Sequence, residues 1–272
     1  MKLLLLLLTG LLVLLGLLLQ PLWRSRQRAR WRREPLPAAW RRVLRRRVPL
    51  VARLPADQQL RLRGLMQVLL REKRFVGCGG LVLSEEMRLV VAAQAALPLL
   101  GHTRGYYPNL REILLYPTAF AVERPVTDGA GVQHLQRRAL AGESWARGQV
   151  ILAWDEVLAG AANAHDGRNV VLHEFAHQLD QVKGHANGAP PLPDAEFYAR
   201  WSAVLQQAFD ALRAQLARGE PTLLDAYAAT EPAEFFAVAS EVFFERGAEL
   251  AAWHPALYRE LAGFYRVQTV MW

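Results

Sequence analysis

Apolar residues recur at helical spacing through most of the chain. Apolar side chains three or four positions apart predict amphipathic helices. These helices cover residues 57–73, 84–96, 155–162, 196–218 and 222–246, and the apolar segment 251–272 closes the chain. Two shorter segments, residues 112–122 and 149–154, contain mainly Ile, Leu, Val and aromatic residues and predict strands. Because helices dominate and both strands precede residue 155, the pattern predicts an α+β fold with a small sheet.

The segment from Asn169 to Asp180 predicts a helix that is buried on most sides. It contains no Pro or Gly, and it is apolar at Val170, Leu172, Phe175, Ala176 and Leu179. The preceding Asp166-Gly167 predicts a turn and an N-terminal cap, and Lys183-Gly184 predicts a basic last turn and a stop. Residues 183–194 are rich in Gly and Pro, and they form the kind of loop that can border an active site.

Positive charge is concentrated at the N-terminus. The first 47 residues carry twelve Lys or Arg and one acid, which is a net charge of +11. The other 225 residues carry 21 bases and 24 acids, which is a net charge of −3. This mildly acidic remainder argues against a nucleic-acid-binding protein. The basic segment alone leaves two interpretations open, a nucleic-acid-binding arm or a segment held against anionic lipid headgroups.

A nearly continuous run of Leu extends from Leu3 to Leu19. With its flanks it reaches the roughly 20 apolar residues that a membrane-spanning helix needs. A cleavable signal peptide is the alternative, but the sequence that follows, Gln20-Pro21-Leu22-Trp23, is not a small-residue cleavage site. Eleven Arg lie between Arg24 and Arg47, and the positive-inside rule keeps that side of the helix in the cytoplasm.

These features predict three segments and a location. Residues 1–23 form a single transmembrane anchor, residues 24–47 an Arg-rich juxtamembrane linker, and residues 48–272 the folded domain. We expect this domain to lie in the cytoplasm at a bacterial-type inner membrane. The one cysteine, Cys78, excludes a disulfide within the chain and agrees with a reducing compartment.

The buried helix carries the motif His-Glu-Phe-Ala-His. His173 and His177 are four residues apart, so their imidazoles project from one face and can bind the same Zn²⁺. Glu174 lies beside that position and can accept a proton from a water molecule. The alternative is a pair of core histidines that are satisfied by a buried ion pair.

A catalytic zinc ion needs a third protein ligand. A third His in the metzincin spacing is absent after His177, although His185 in the following loop could reach back. The apolar helix over residues 232–246 carries Glu234, Glu241 and Glu245 along one narrow line. This line is either a solvated stripe or a polar face turned towards a cation, and its periodicity does not choose between Glu234 and Glu241 as the ligand.

Several separated segments resemble the Mlc titration factor A family of zinc peptidases. The segments are residues 77–81, 140–143, 148–152, 173–180, 225–229 and 232–241. The catalytic domain of that family is similar to the protease domain of anthrax lethal factor, so the resemblance implies a zincin-like metallopeptidase domain. The family's namesake is soluble and binds the transcriptional repressor Mlc, whereas this chain has a Leu-rich N-terminus.

The resemblance also implies the roles of individual residues. His173, His177 and Glu234 become the ligands of one Zn²⁺ per chain, and Glu174 becomes the general base. Tyr227 becomes the hydroxyl that faces the oxyanion. Glu241 is then a candidate for orienting a ligand. Asp180, one turn beyond His177, either orients a ligand as well or is a surface charge.

Two functions of different classes are consistent with these residues. The first is a membrane-anchored zinc peptidase that acts on a peptide or protein substrate. The second is an interaction protein that sequesters a cytoplasmic transcriptional regulator, with weak or vestigial hydrolysis. The presence of Glu174 favours the peptidase, because binding alone requires no general base, and it argues against a purely structural zinc site. Neither function involves nucleic acid.

Overall fold

The N-terminal part of the protein consists of three helices joined by short turns. The computed structural model describes residues 2–102, 105–127, 133–140, 142–145 and 148–272. Helix α1 (Lys2–Arg33) contains the Leu run and continues without a break through Pro21 and the first Arg residues. Two shorter helices follow, α2 (Ala38–Arg47) and α3 (Leu50–Arg53).

The Arg-rich segment packs against the rest of the protein. Leu36 and Leu44 are buried in the main hydrophobic core. Arg28 at the end of α1 forms a double hydrogen bond with Glu72, and Arg47 of α2 lies 2.6 Å from Glu86. Packed side chains therefore begin before residue 48, and the domain boundary at that position stays a prediction.

The first half of the body alternates helices and strands. Helix α4 (Ala56–Glu72) leads into strand β1 (Arg74–Gly77), and Ser84 caps α5 (Glu85–Ala96) by accepting from the Met87 N–H. The later strands are β2 (Glu112–Tyr116), β3 (Phe120–Thr127), β4 (Gln133–Leu140), β5 (Gly142–Trp145) and β6 (Gln149–Ala153). The single strand predicted over residues 112–122 is wrong: β2 ends at Tyr116, because Pro117 lacks the N–H that the ladder requires.

Two separate sheets form from these strands. The larger has the order β1-β2-β6-β5, in which β1, β2 and β6 are parallel and β5 runs antiparallel at the edge. Strands β3 and β4 pair only with each other in the described residues. In the larger sheet, Ile113, Leu115, Val150 and Leu152 are buried, so the parallel strands have packed cores beside them.

The second half of the body is helical. It contains α6 (Trp154–Ala162), α7 (Val170–Asp180), α8 (Ala195–Ala217), α9 (Pro232–Glu245), α10 (Gly247–Trp253) and α11 (Pro255–Tyr265). The predicted helix over residues 222–246 is shorter than expected, because a separate 3₁₀ turn (Ala226–Ala229) precedes α9. The predominance of helices and the small sheet confirm the predicted α+β class.

Helices α7 and α9 pack against each other at the centre of the helical half. Around them lies a group of fully buried aromatic side chains. The group contains Phe175, Trp201, Phe235, Phe236, Phe243, Phe244 and Tyr265. Rings of this size bury much apolar surface and pack edge to face, so the two helices are held in a fixed crossing.

Candidate metal centre

The N-terminus of α7 is set by Asn169. Its side-chain oxygen accepts a hydrogen bond from the Leu172 N–H at 3.0 Å, which is the geometry of an N-cap. The cap predicted at Asp166-Gly167 is wrong, because the Asp166 carboxylate accepts from the Arg168 N–H within the preceding turn. Helix α7 then buries Phe175 and Ala176 in the core.

Three donor atoms converge where α7 meets the first turn of α9. The His173 Nε2 atom lies 2.9 Å from a carboxylate oxygen of Glu234, and the His177 Nε2 atom lies 3.4 Å from the same oxygen. The two Nε2 atoms are 3.2 Å apart. Among the residues that the structure describes, these three side chains form a group of potential ligands close enough to hold one ion.

This donor set fits a divalent metal. The two nitrogen atoms and one carboxylate oxygen match the ligand types of a catalytic zinc centre, which leaves a position open for water or substrate. All three side chains are largely shielded, at 14 % exposure for His173, 9 % for His177 and 13 % for Glu234. Two imidazole nitrogens that face each other and one carboxylate are better satisfied by a shared cation than by each other.

The local charges keep Glu234 ionised. Burial alone would raise the pKa of Glu234, but hydrogen bonds to His173 and His177 lower it well below its usual range. Burial likewise lowers the pKa of His173, whereas its hydrogen bonds to Glu234 and Glu241 raise it well above the ordinary value. The site is therefore a region of negative potential that favours a cation.

Glu241 holds the other side of His173. One carboxylate oxygen lies 2.8 Å from His173 Nδ1, and the second accepts a hydrogen bond from the Asn169 N–H. A proton on Nδ1 that is donated to Glu241 leaves the Nε2 lone pair directed at Glu234 and His177. Glu241 is 6 % exposed, so it is not part of a solvated stripe.

Glu174 is buried beside the convergent donors. One of its carboxylate oxygens has no hydrogen-bond partner. Burial raises its pKa above the ordinary value, although the neighbouring His173 and His177 oppose this shift. A carboxylate with a raised pKa and a free acceptor atom is suited to receiving a proton.

Tyr227 lies beside His173, in the 3₁₀ turn before α9. Its ring centre is 6.1 Å from that of His173, and the residue is 47 % exposed. The Tyr227 N–H donates to Asp225, which anchors the turn. Partial burial and the charges of Glu234 and Glu174 raise the pKa of Tyr227 to about 12, so its hydroxyl remains a donor.

Asp180 is 3 % exposed, so the interpretation of this residue as a surface charge is wrong. One oxygen accepts hydrogen bonds from the backbone N–H groups of Asn187 and Gly188, at 2.8 and 2.7 Å. Its other oxygen and the His177 Nδ1 atom are both buried without a hydrogen-bond partner. Asp180 thus fixes the loop after α7, and its predicted role in orienting a ligand stays a prediction.

The loop itself does not bring His185 into the cluster. His185 is exposed and does not belong to the convergent group. Gly188 has a φ of +79°, and a Cβ atom at that position would lie 2.5 Å from the Pro232 carbonyl oxygen. The loop therefore passes in direct contact with the start of α9, two residues before Glu234.

Two further residues at the site were not identified from the sequence. Asn169 and Glu245 are each 2 % exposed and are hydrogen-bonded to each other beneath Glu241. An Asn directly before an apolar helical segment is a cap signal, so Asn169 could have been found. Glu245 lies on the same face of the helix as Glu234 and Glu241, but nothing in the sequence around it indicates that Asn169 is its hydrogen-bond partner.

The chain is similar to known proteins over most of its length. Residues 22–266 match a family model described as glucose-regulated metallopeptidase M90. The chain is 40 % identical over 250 residues to "Uncharacterized protein slr2042" of Synechocystis sp., which covers 92 % of this chain and 90 % of that protein. It is 34 % identical over 250 residues to Mlc titration factor A of Yersinia enterocolitica, with 90 % of both chains covered. The corresponding Yersinia pestis protein is 35 % identical over 84 % of both chains.

Proposed function

Because this chain belongs to the M90 family of glucose-regulated metallopeptidases, we propose that it is a membrane-anchored zinc peptidase with a zincin-like catalytic domain. The observation that carries the proposal is the convergence of His173, His177 and Glu234 beside a buried Glu174 with a free acceptor oxygen. A structural metal site would not need that carboxylate.

His173, His177 and Glu234 would hold the zinc ion, one per chain. Zinc bound there would supply a Lewis acid that activates water and polarises the peptide carbonyl. Glu241 keeps a proton on His173 Nδ1, so that the Nε2 atom stays available as a ligand. The low pKa of Glu234 keeps its carboxylate anionic near neutral pH.

Glu174 is the proposed general base. Its free oxygen accepts the proton of the attacking water and then delivers it to the nitrogen of the leaving amine. Its raised pKa makes it a stronger base than an exposed glutamate.

Tyr227 is the proposed donor to the developing oxyanion. Its half-exposed ring lies at the edge of the cluster, where a substrate carbonyl can approach it. Because its pKa is about 12, it remains protonated while charge builds on the carbonyl oxygen. Asp180 supports this face indirectly by fixing the loop that touches the start of α9.

Membrane anchoring is supported by the surroundings of α1. Residues 8–33 of this helix are long and apolar enough to cross a bilayer, and none of the apolar window is buried against the body. Leu4, Leu11, Leu17 and Leu18 are 61–65 % exposed. An apolar surface of this extent requires another apolar environment, and a lipid bilayer provides one. A signal sequence passes the same test of length and composition.

The alternative function is sequestration of a cytoplasmic transcriptional regulator, with hydrolysis weak or vestigial. It is favoured by the name of one relative, Mlc titration factor A. In that case the metal centre would be retained for the shape of the surface, and Glu174 would not be needed.

The two functions are separated by measuring zinc content and peptide cleavage on the full chain in detergent. The peptidase should contain about one zinc per chain and should cleave members of a broad peptide library. Glu174→Gln should keep the zinc and lose cleavage, whereas Glu260→Gln, at another buried glutamate, should keep both. A zinc-loaded wild type that cleaves no peptide would favour sequestration, and a wild type without zinc would refute the metal centre.

A further inference from the structure

A continuous series of buried hydrogen bonds links the end of α9 to His173. One oxygen of Glu245 accepts from the Asn169 Nδ2 group at 2.9 Å, and the other accepts from the Gly167 N–H at 3.1 Å. Asn169 caps α7 through its side-chain oxygen and donates its N–H to Glu241. Glu241 in turn contacts His173 Nδ1.

Burial of Glu245 at this position costs free energy, because no positive charge among the described residues compensates for it. It is 2 % exposed, and the residues that face it are Asn169, Gly167, Glu241 and Asp166. No Arg, Lys or His in the described part of the chain forms an ion pair with it, and the neighbouring Arg246 pairs with Glu249 instead. Burial raises the pKa of Glu245 to about 8. A side chain that cannot ionise would avoid this cost, so the presence of a glutamate here needs another explanation.

Asn169 is fixed from three sides. Its Nδ2 group also donates to the Gly160 carbonyl at 3.3 Å, and a Cβ atom at Gly160 would lie 3.0 Å from the Asn169 Cα. Gly160 of helix α6 therefore packs directly against Asn169, the N-cap of α7. Three groups set the direction of the Asn169 amide: the Gly160 carbonyl and the Glu245 carboxylate accept from its NH₂ end, and the Leu172 N–H donates to its oxygen. Glu245 makes the shorter of the two contacts to the NH₂ end, at 2.9 Å.

We propose that Glu245 is a positioning residue for the metal centre, which acts through Asn169 and Glu241 to fix the start of α7 and the direction of the His173 ring. This inference rests on the proposed zinc site. Glu245 does not touch the ligands itself, but it holds the side chain of Asn169. The same residue donates its backbone N–H to Glu241 and caps the helix that carries His173 and His177.

The alternative is that Glu245 contributes only to stability. A matched control for this is Ser240→Ala on the same helix. Ser240 is fully buried, donates to the Phe236 carbonyl and accepts from the Tyr265 hydroxyl, both at 2.7 Å. Its replacement removes buried hydrogen bonds from the side of α9 that faces Tyr265, without changing a contact to Asn169.

A donor–acceptor exchange tests the proposal. In Glu245→Gln, one amide donor faces the donor of Asn169 or of Gly167. In Asn169→Asp, two carboxylates face each other. The double variant restores the contact between the two side chains, because the Gln NH₂ group can donate to the new Asp while its carbonyl accepts from Gly167. The Gly160 carbonyl loses its donor in Asn169→Asp and in the double variant alike, so the comparison of these two isolates the contact at residue 245.

The measurements are the affinity for Co²⁺ and its visible spectrum, made on the full chain at a pH above the pKa of Glu245. Each single variant should weaken binding about tenfold, as is typical of residues that orient a ligand, and should change the spectrum. The double variant should bind Co²⁺ more tightly than Asn169→Asp alone, and Ser240→Ala should leave the affinity and the spectrum unchanged. Equal effects of Ser240→Ala, or no recovery in the double variant, would overturn the proposal.

Hydrogen exchange on the metal-free protein separates this proposal from the proposed function. Glu245→Gln should accelerate exchange at the Leu172 and His173 amides, and adding Asn169→Asp should restore protection. A wild type that binds no metal but shows this pattern would refute the zinc peptidase and keep the positioning contact. A metal-binding wild type with unchanged exchange and affinity in the variants would refute Glu245 alone.

Discussion

Glu241→Ala should reduce the stability of the metal-free protein more than Glu234→Ala does. For zinc affinity we expect the reverse, with the larger loss in Glu234→Ala. Both lie on the same face of α9, but their contacts differ. Glu241 accepts from the buried Asn169 N–H and contacts His173 Nδ1, whereas Glu234 faces the two Nε2 atoms from the first turn of the helix.

The expected magnitudes follow from these contacts. Hydrogen bonds to a charged group contribute about 1.5–3 kcal/mol each. Glu241→Ala removes two of them and leaves the Asn169 N–H buried, so the metal-free protein should lose about 3 kcal/mol after relief of the carboxylate's own burial. Glu234→Ala should destabilise the metal-free protein by only about 1 kcal/mol. The loss of its hydrogen bonds is partly offset, because the substitution also removes the cost of burying its carboxylate.

Metal affinity should follow the reverse order. Loss of the residue that orients His173 should weaken binding about 10- to 100-fold. Glu234→Ala removes a ligand atom and should weaken binding by more than that.

The assay is urea unfolding of both variants in the presence of a chelator, together with zinc competition against a chelating dye. A lower zinc affinity for Glu241→Ala than for Glu234→Ala would show that the third ligand is assigned wrongly. Greater destabilisation of the metal-free protein by Glu234→Ala would refute the hydrogen-bond reasoning.

Other expectations concern pH, the loop, the oxyanion and topology. Because the pKa of Glu245 is raised from 4.5 to about 8, the folded state keeps a proton that the unfolded state releases. Stability of the metal-free protein should therefore fall as the pH rises from about 5 to 8, by at most about 1.4 kcal/mol per unit, and urea titrations of Glu245→Gln should not show this fall. Asp180→Ala should speed proteolysis within residues 183–194, since Gly188 loses its acceptor, and an unchanged cleavage rate would count against that anchor. Tyr227→Phe should keep zinc but lower kcat about 10²- to 10³-fold, and unaltered peptide turnover would exclude the hydroxyl from the mechanism. A C-terminal reporter that works only in the cytoplasm should be active, whereas activity of an exported reporter would reverse the orientation predicted from residues 1–47.

Local sequence was sufficient for most helices. The apolar spacing predicted α5, α7 and α8 to within one or two residues at each end. These signals lie within the element itself. The helical packing of the Arg-rich segment was not predicted, because it depends on distant acids such as Glu72 and Glu86.

The site shows the same division between local and distant information. The spacing of His173 and His177 is a property of one helix, so the sequence predicted their common face. Glu234 and Glu241 lie on one face of another helix, and periodicity left the choice between them open. The crossing of α7 and α9 separates them, since it places Glu234 at the Nε2 side of His173 and Glu241 at the Nδ1 side. The partner of Glu245 depends on that same crossing.

Zinc-edge X-ray absorption on the purified full chain tests the central claim most directly, because it reports the ligand types around the ion. The account predicts about one zinc per chain with two imidazole nitrogens at roughly 2.0–2.1 Å and additional oxygen ligands. In His177→Ala, one imidazole contribution should disappear together with tight binding. A sulfur shell, or a wild type that holds no zinc after exposure to it, would contradict the assignment of His173, His177 and Glu234.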